Sequence, residues 1–402
     1  MSIFAFFHKI LPFDLDLLPP DSYLVGGAVR DALLGKQRKY LDLDFVLPRD
    51  AVETARLIAS RYQAGFVVLD AQRQIARVVF ADATVDFAQQ EGDSLMIDLQ
   101  RRDYRLNAIA LNLYNQEIID PLNGQEDLKK GIINMVSLQN LKDDPLRLLR
   151  AYRQAAQLNF KIEPDTRQAI KKVAPLLKNV AAERVKTELD YLLENPQGSY
   201  WLQQAYEDNI LSCWFKNITS TKIDDLLKID DIVNLFRKKY SQFRSFDYSY
   251  YRLAKLCCLI ANNLEVAQQE LTEIKCSNHE IKTVITIIKN LPLLLDYDSN
   301  FSLRDQYFFF LNVQDVFPLL VINLMLYNPH EKILETLIDR YFNPEDLVAH
   351  PQPIITGNDL INNLNLKPSP VIKKILTEVQ IAYIEKKIKT KDEALNFAKS
   401  FL

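Results

Sequence analysis

The chain has 402 residues, of which 48% are hydrophobic and 25% are charged, and its formal net charge is −3. These values are typical of a soluble globular protein of about two to four domains, and they exclude a nucleic-acid binder that is basic over its whole surface. The four cysteines form no C-x-x-C pair and the four histidines are scattered, which argues against a disulfide framework, a zinc site or a histidine-based triad.

The N-terminal stretch MSIFAFFHKILPF is apolar, lacks a basic leader region and meets Pro12 early. It predicts a helix that packs on the first domain rather than a signal peptide. No apolar run approaches the ~18 residues of a membrane span. We therefore expect a cytoplasmic protein that makes no membrane contact.

The stretch YLVGGAVRDALLGKQRKYLDLDFVL, residues 23–47, predicts a strand, a Gly-Gly turn, a short helix and a second strand. Gly26 and Gly27 lead into a helix N-terminus, where free backbone N–H groups favour an anion. Asp42 and Asp44 lie two residues apart on the second strand and therefore project from one face. Close carboxylates repel each other unless a cation lies between them, and Mg²⁺ takes one or two carboxylates together with substrate phosphates. The combination predicts phosphoryl or nucleotidyl transfer, although each half alone recurs by chance.

A helix over residues 48–62 and three short strands are predicted next. The last strand, TVDFA, carries Asp86 between two apolar residues. Because side chains alternate along a strand, Asp86 is either exposed on an open face or a third carboxylate of the metal site.

A short connector leads to the segment RRDYRLNAIA. Its spacing predicts that Arg102, Asp103 and Asn107 lie on one side of a helical turn. Such a cluster can hold a sugar and phosphates, but it can equally be a solvated, salt-bridged turn.

Long helices with few breakers are predicted from about Ser137 onward, since only two of the nine glycines follow Gly131. Asp143-Asp144-Pro145 is typical of a helix start. Polar residues then recur every three positions and wind along one half of the helix surface. This set, which could also be a solvated face, comprises Asp144, Arg147, Arg150 and Arg153.

Residues 198–402 predict helices with irregular joins and contain no catalytic constellation. Residues 236–255 interleave aromatic and basic side chains, a pattern that suits RNA contact by base stacking. An amphipathic helix whose aromatic residues are core explains the same pattern.

Five motifs in this order and spacing carry a family resemblance: LVGGAVRD, the Asp42/Asp44 pair, RRDYRLNAIA, DPLNGQEDL and DDPLRLLRAYRQAAQL. The chain resembles the class II tRNA nucleotidyltransferase/poly(A) polymerase family over roughly residues 20–195. The resemblance implies an α+β fold with a polymerase-beta-like nucleotidyltransferase head, a mixed sheet with helices, followed by an all-helical neck, body and tail. The implied domains are a catalytic head (1–137), a base-recognising neck (138–197), a body (198–350) and a tRNA-binding tail (351–402).

The resemblance also implies residue roles. Asp42 and Asp44 would hold Mg²⁺, with Asp86 as a further catalytic carboxylate. Nucleotide would be bound by Gly26, Gly27 and Arg30 at the triphosphate, Arg102 at a phosphate, Asp103 and Asn107 near the ribose, and Asp144, Arg147, Arg150 and Arg153 at the base. The partners would be a tRNA 3′ end with CTP and possibly ATP.

Which nucleotides are added is left open by the resemblance. Only 14 residues separate Asp86 from Arg101, and family members that add CC have a shortened segment there. This favours a CC-adding enzyme that works with a separate A-adding enzyme. The alternatives are a full CCA-adding enzyme, an A-adding enzyme or poly(A) polymerase, and, in another class, a catalytically inactive RNA-binding protein.

Overall fold

The computed structural model describes residues 2–36, 40–295, 301–327 and 331–402. The chain divides into two compact units: the first contains the residues up to Leu192 together with Trp201–Cys213, and the second contains Leu193–Tyr200 and Trp214–Leu402. All strands of the described ranges lie in the first unit, and the second is helical. The predicted fold class, a mixed-sheet head followed by a helical remainder, is confirmed.

Seven strands of the first unit form one mixed sheet. They are β1 (Tyr23–Val25), β2 (Leu41–Leu47), β3 (Gly65–Asp70), β4 (Ile75–Val79), β5 (Ala83–Gln89), β6 (Ala110–Asn112) and β7 (Glu117–Ile119). Their order is β3-β4-β5-β2-β1-β6-β7, and every pair is antiparallel except the central β2–β5 pair. A separate parallel ladder joins β8 (Ile132–Ile133) to β9 (Lys161–Ile162).

Strand β2 has one apolar and one acidic face, as its alternating sequence predicts. Leu43 and Phe45 are buried, and the Phe45 ring stacks on Phe87 of β5 with 5.8 Å between ring centroids. This packing fixes the register, because a shift by one residue would bury Asp42 and Asp44 instead. The apolar face of β2 thus packs in the core, and its opposite face carries the two carboxylates.

The helices of the first unit are interspersed with its strands up to β9, and the last three come after β9. They are α1 (Ile3–Ile10), α2 (Gly27–Leu33), α3 (Ala51–Tyr62), α4 (Leu95–Gln100), α5 (Gly124–Lys130), α6 (Leu138–Asp143), α7 (Leu146–Leu158), α8 (Pro164–Val173), α9 (Ala182–Glu194) and α10 (Gly198–Glu207), the last two continuing into the second unit. Asp144 lies at the joint between α6 and α7 in an extended conformation. Pro145 explains this, because the residue before a proline avoids the helical region.

The second unit consists of helices. They are α11 (Ser220–Lys239), α12 (Arg252–Cys257), α13 (Leu264–Glu273), α14 (Asn278–Leu295), α15 (Leu303–Val313), α16 (Phe317–Leu324), α17 (Glu331–Phe342), α18 (Gly357–Leu364), α19 (Pro370–Ile384) and α20 (Lys391–Lys399). The last three share an apolar core that includes Leu360, Val379 and Ala394.

The aromatic residues of the 236–255 stretch are partly core. Phe236, Phe243 and Tyr251 are buried, and Phe236 and Phe243 pack edge to face. For these three side chains the structure favours packing over RNA stacking.

Among the described residues, one helical stretch, Leu303–Tyr327, is long and apolar enough to cross a membrane by length and composition. This differs from the expectation that no run approaches that length. Of the apolar 18-residue window within it, 67% is buried inside the protein, as is usual for the core helices of globular proteins.

Candidate active site

Two acidic side chains lie on one face of β2. Asp42 is exposed and Asp44 is half-buried. In the parallel register, β5 places Thr84 beside Asp42 and Asp86 beside Asp44. The Thr84 hydroxyl donates a 2.9 Å hydrogen bond to Asp42 Oδ1. Asp42, Asp44 and Asp86 therefore project from the same side of the sheet.

The negative charge of Asp44 is not fully balanced by the protein. Burial raises the pKa of Asp44 to about 6; the Arg102 guanidinium lowers it, whereas the neighbouring carboxylates of Asp42 and Asp86 raise it. Among the described residues, no group donates a hydrogen bond to this carboxylate. A divalent cation would supply the missing positive charge, and Mg²⁺ completes such a two-carboxylate set with water and substrate phosphates. The residues present fit a divalent cation at Asp42 and Asp44.

Asp86 forms a two-pronged ion pair with Arg77, which stands opposite it in the antiparallel β4–β5 register. Arg77 Nε donates to Asp86 Oδ1 at 2.7 Å, and Arg77 Nη2 donates to Asp86 Oδ2 at 2.8 Å. In the described ranges, no three acidic, cysteine or histidine side chains form a group that could hold a metal. The prediction that Asp86 is a third catalytic carboxylate stays a prediction.

Gly26 brings the backbone close to Asp44. Its φ is +75°, and a Cβ there would lie 3.1 Å from Asp44 Oδ2 and 3.5 Å from Arg102 Nη1. Only glycine adopts this conformation readily and leaves this space. Gly27 is the first residue of α2. Gly26, Asp44 and Arg102 thus lie close together, and their contact with a nucleotide stays a prediction.

A polar cavity brings Arg102 together with Asp144 and Arg147 from the α6–α7 joint. Arg102 also pairs with Asp98 at 3.1 Å. Arg184 of α9 donates to Asp144 Oδ2 at 2.9 Å and lines the same cavity. The cavity thus brings together predicted site residues from segments more than forty residues apart.

Asn140 connects the two sides of this cavity. Its side-chain amide donates to the carbonyl oxygens of Gln100 at 2.7 Å and Arg102 at 2.8 Å. The backbone carbonyl oxygen of Asn140 accepts a hydrogen bond from Arg147 Nη1 at 3.0 Å. The Tyr104 hydroxyl also donates to the Arg147 carbonyl at 2.6 Å. The positions of Arg102 and Arg147 are therefore linked.

Asp103 and Asn107 lie in a buried network rather than in the cavity. Asp103 accepts hydrogen bonds from Asn107 and from Arg150, both at 2.9 Å. Gln154 also donates a hydrogen bond to Asp103 and accepts one from Asn107. Burial alone would raise the pKa of Asp103, but the Arg150 charge and the hydrogen bonds hold it well below its ordinary value. The prediction that Arg102 shares one side of a helical turn with these residues is wrong, because Tyr104 is extended and the helical turn begins only at Arg105.

Two further predicted nucleotide ligands are engaged within the protein. Arg30 is buried, donates to Asp31 at 2.7 and 2.8 Å, and donates to Asn107 at 2.9 Å. Arg153 pairs with the buried Glu188 of α9. For both arginines, as for Arg150, direct contact with a nucleotide stays a prediction.

Sequence reasoning missed several residues that support the site. These are Arg77, Thr84, Asp98, Asn140 and Gln154. Strand register carries the signal for Thr84 and Arg77, since both stand opposite acidic residues once the β4-β5-β2 order is known. Asp98 lies four residues before Arg102, a spacing at which helical ion pairs form.

Family profiles match three parts of the chain. Residues 22–134 match the poly A polymerase head domain, residues 159–221 match the "Probable RNA and SrmB- binding site of polymerase A", and residues 245–398 match tRNA nucleotidyltransferase domain 2.

Individual proteins are similar over different lengths. A CC-adding tRNA nucleotidyltransferase from Synechocystis sp. is 47% identical over 99% of this chain and 98% of its own length. An A-adding tRNA nucleotidyltransferase from Deinococcus radiodurans is 41% identical, over 45% of this chain and 42% of its own length. A solved CCA-adding enzyme in complex with CTP has a TM-score of 0.72 and 23% identity, covering 95% of this chain and 90% of that one, which shows a shared fold.

Proposed function

The chain belongs to the class II tRNA nucleotidyltransferase/poly(A) polymerase family, and on this premise we propose that it is a template-independent tRNA nucleotidyltransferase that adds CC to the tRNA 3′ end from CTP. The observation that carries this proposal is the convergence of Asp42, Asp44 and Arg102 beside a cavity that Asp144 and Arg147 line.

Whole-chain similarity supports CC addition over A addition. The similarity to the CC-adding relative runs along 99% of the chain, whereas that to the A-adding relative covers 45%. The short connector gives independent support: β5 ends at Gln89 and α4 begins at Leu95. A separate A-adding enzyme would then complete the CCA end. The second candidate, full CCA addition, is favoured by the fold shared with the CCA-adding enzyme.

Divalent metal use is general in this family, and we assign Mg²⁺ to Asp42 and Asp44. When bound, Mg²⁺ would lower the pKa of the attacking 3′-hydroxyl and neutralise charge on the leaving pyrophosphate. Gly26 and Gly27 would admit the triphosphate close to the backbone, and Arg102 would hold a phosphate by charge-assisted hydrogen bonds. Asp103, Asn107, Arg30, Arg150 and Arg153 would position these groups from the buried network beneath.

Base selection is assigned to Asp144 and Arg147. Cytosine presents an amino donor at N4 beside acceptors at N3 and O2, and an aspartate next to an arginine complements this edge. Adenine presents a similar order, with its N6 amino group beside N1. Uracil presents the reverse order and would leave buried polar groups unpaired, each costing ~1–3 kcal/mol. No nucleic-acid template is needed for this choice.

Primer extension tests the proposal. The full-length protein is given a tRNA ending at the discriminator base, Mg²⁺, and CTP with or without ATP. Products that stop at two added nucleotides in the presence of both support CC addition. Three added nucleotides indicate CCA addition, and a long ladder indicates a poly(A) polymerase.

A catalytically inactive RNA-binding protein is the alternative from another class. Robust incorporation by the parent, lost in Asp42→Asn/Asp44→Asn, excludes it. The four free cysteines support a cytoplasmic location. The head, neck, body and tail at residues 1–137, 138–197, 198–350 and 351–402 remain part of the proposal.

A further inference from the structure

The row Asp44–Asp86–Arg77 crosses three adjacent strands of the sheet. Asp44 stands opposite Asp86 in the β2–β5 register, and Asp86 stands opposite Arg77 in the β5–β4 register. Neighbours at such positions project from the same face about 5 Å apart. Without Arg77, Asp86 would therefore be an available third carboxylate beside Asp44.

Arg77 engages both oxygens of Asp86, at 2.7 and 2.8 Å. The carboxylate of Asp86 is 18% exposed and the Arg77 side chain is 38% exposed, so the pair is shielded but not deeply buried. A guanidinium fork matches the two oxygens of a carboxylate, which makes this the strong form of an ion pair. A metal could use Asp86 only by displacing Arg77 from at least one oxygen.

We propose that the ion pair with Arg77 prevents Asp86 from binding the divalent cation. The metal site then consists of Asp42 and Asp44, and the Arg77 guanidinium sets its affinity for the metal. Arg77 is thus a positioning residue that acts through Asp86. The inference rests on the proposed function for the identity of the cation site, and it replaces the expectation that Asp86 is itself a catalytic carboxylate.

The number of charged ligands controls how tightly a hard cation binds. Arg77→Gln removes the internal cation and frees a carboxylate next to Asp44, so it should tighten binding of the metal alone by at least about fivefold. Arg77→Gln/Asp86→Asn removes both charges and leaves the local net charge unchanged. It should therefore bind the metal within about twofold of the parent.

The measurement is a titration of the full-length protein with Mn²⁺, followed by the loss of the electron paramagnetic resonance signal of free Mn²⁺. The component that disappears in Asp42→Asn/Asp44→Asn defines the site. Arg56→Gln is the matched control, because it removes one positive charge from an exposed pair on α3 and should leave the Mn²⁺ Kd unchanged. Arg77→Lys keeps the charge but cannot cover both Asp86 oxygens, so it should tighten Mn²⁺ binding by less than Arg77→Gln does, and it provides a second variant if Arg77→Gln unfolds.

Two results would overturn the proposal. Weaker Mn²⁺ binding in Arg77→Gln/Asp86→Asn would make Asp86 a ligand, and an unchanged Kd in folded Arg77→Gln would reduce the pair to a structural role. Both results are independent of CMP incorporation. A parent that binds Mn²⁺ at Asp42 and Asp44 but incorporates no nucleotide would overturn the proposed function instead.

Discussion

Asp44 and Asp103 are two shielded carboxylates of one compact unit, and their environments shift their pKa values in opposite directions. Burial raises the pKa of Asp44 to about 6. For Asp103, Arg150 and several hydrogen-bond donors outweigh burial and hold the pKa well below its usual range. The two carboxylates differ in their hydrogen-bond donors: among the described residues, none donates to the Asp44 carboxylate.

The comparison teaches that burial alone does not distinguish a functional carboxylate from a structural one. The charge of Asp103 is matched within the protein by Arg150. Asp44 has Asp42 and Asp86 as neighbours, and a cation at the proposed metal site would balance their negative charge. Four predictions test this distinction and the proposed base-reading pair.

Asp42→Asn/Asp44→Asn should reduce CMP incorporation at least ~1,000-fold, because the variant loses the charges that hold the metal. The same variant should be at least as resistant to urea as the parent, since it removes repulsion between like charges. Incorporation assays and urea unfolding check the two halves. Marked destabilisation would show that these carboxylates are structural, as Asp103 is.

Asp103→Ala should lower the free energy of unfolding by about 3 kcal/mol, because it removes a charge partner of Arg150 and a hydrogen-bond acceptor of the buried Asn107. Urea denaturation followed by circular dichroism measures this. Glu53→Ala is the matched control: its exposed pair with Arg56 predicts a change below ~1 kcal/mol. An equal loss in the free energy of unfolding in Asp103→Ala and Glu53→Ala would contradict the structural role of Asp103.

Asp144→Ala or Arg147→Ala should reduce discrimination between CTP and UTP by about 10- to 100-fold, while incorporation persists. Incorporation should persist because neither residue belongs to the Asp42/Asp44 pair. Competing single-nucleotide incorporation gives the ratio of kcat/KM values. Lys142→Ala, at an exposed position of α6, should retain the parent ratio; full discrimination in either test variant would refute the assignment of base reading.

The pH dependence of stability should distinguish Asp44 from an ordinary carboxylate. Its pKa is raised from 3.8 to about 6 in the folded protein, so the folded state binds more protons than the unfolded state between these values. The free energy of unfolding should therefore fall as pH rises from 4 to 7, by about 1 kcal/mol relative to Asp44→Asn. Urea unfolding across this range tests the sign, and parallel curves for the two proteins would refute it.

Sequence periodicity predicted the parts of the site that local geometry determines. The alternation of β2 placed Asp42 and Asp44 on one face, and the glycine turn placed the backbone beside them. It did not predict the partners of Asp86 and Arg30. Arg77 meets Asp86 through strand pairing, and Asn107 meets Arg30 from 77 residues away. Side chains of suitable charge were identified, but their neighbours depend on tertiary packing.

The expected fold class, a mixed-sheet head followed by a helical remainder, is confirmed for a related reason. The concentration of glycine before Gly131 marks the turns that a sheet requires, and the long apolar periods beyond it mark helices. The helix start predicted at Asp144-Pro145 agrees with the structure, where α7 begins at Leu146. The sequence did not predict that Asp144 accepts a hydrogen bond from Arg184 of α9, 40 residues away.

Asn140 connects the two arginines of the cavity to each other. Its side-chain amide donates to the backbone carbonyl oxygen of Arg102, and its backbone carbonyl oxygen accepts from the Arg147 guanidinium. Under the proposed roles, a nucleotide with its phosphate on Arg102 and its base on Arg147 would have to fit the separation between these two anchored groups. A pyrimidine with the correct hydrogen-bonding pattern but a displaced phosphate would then contact only one of them.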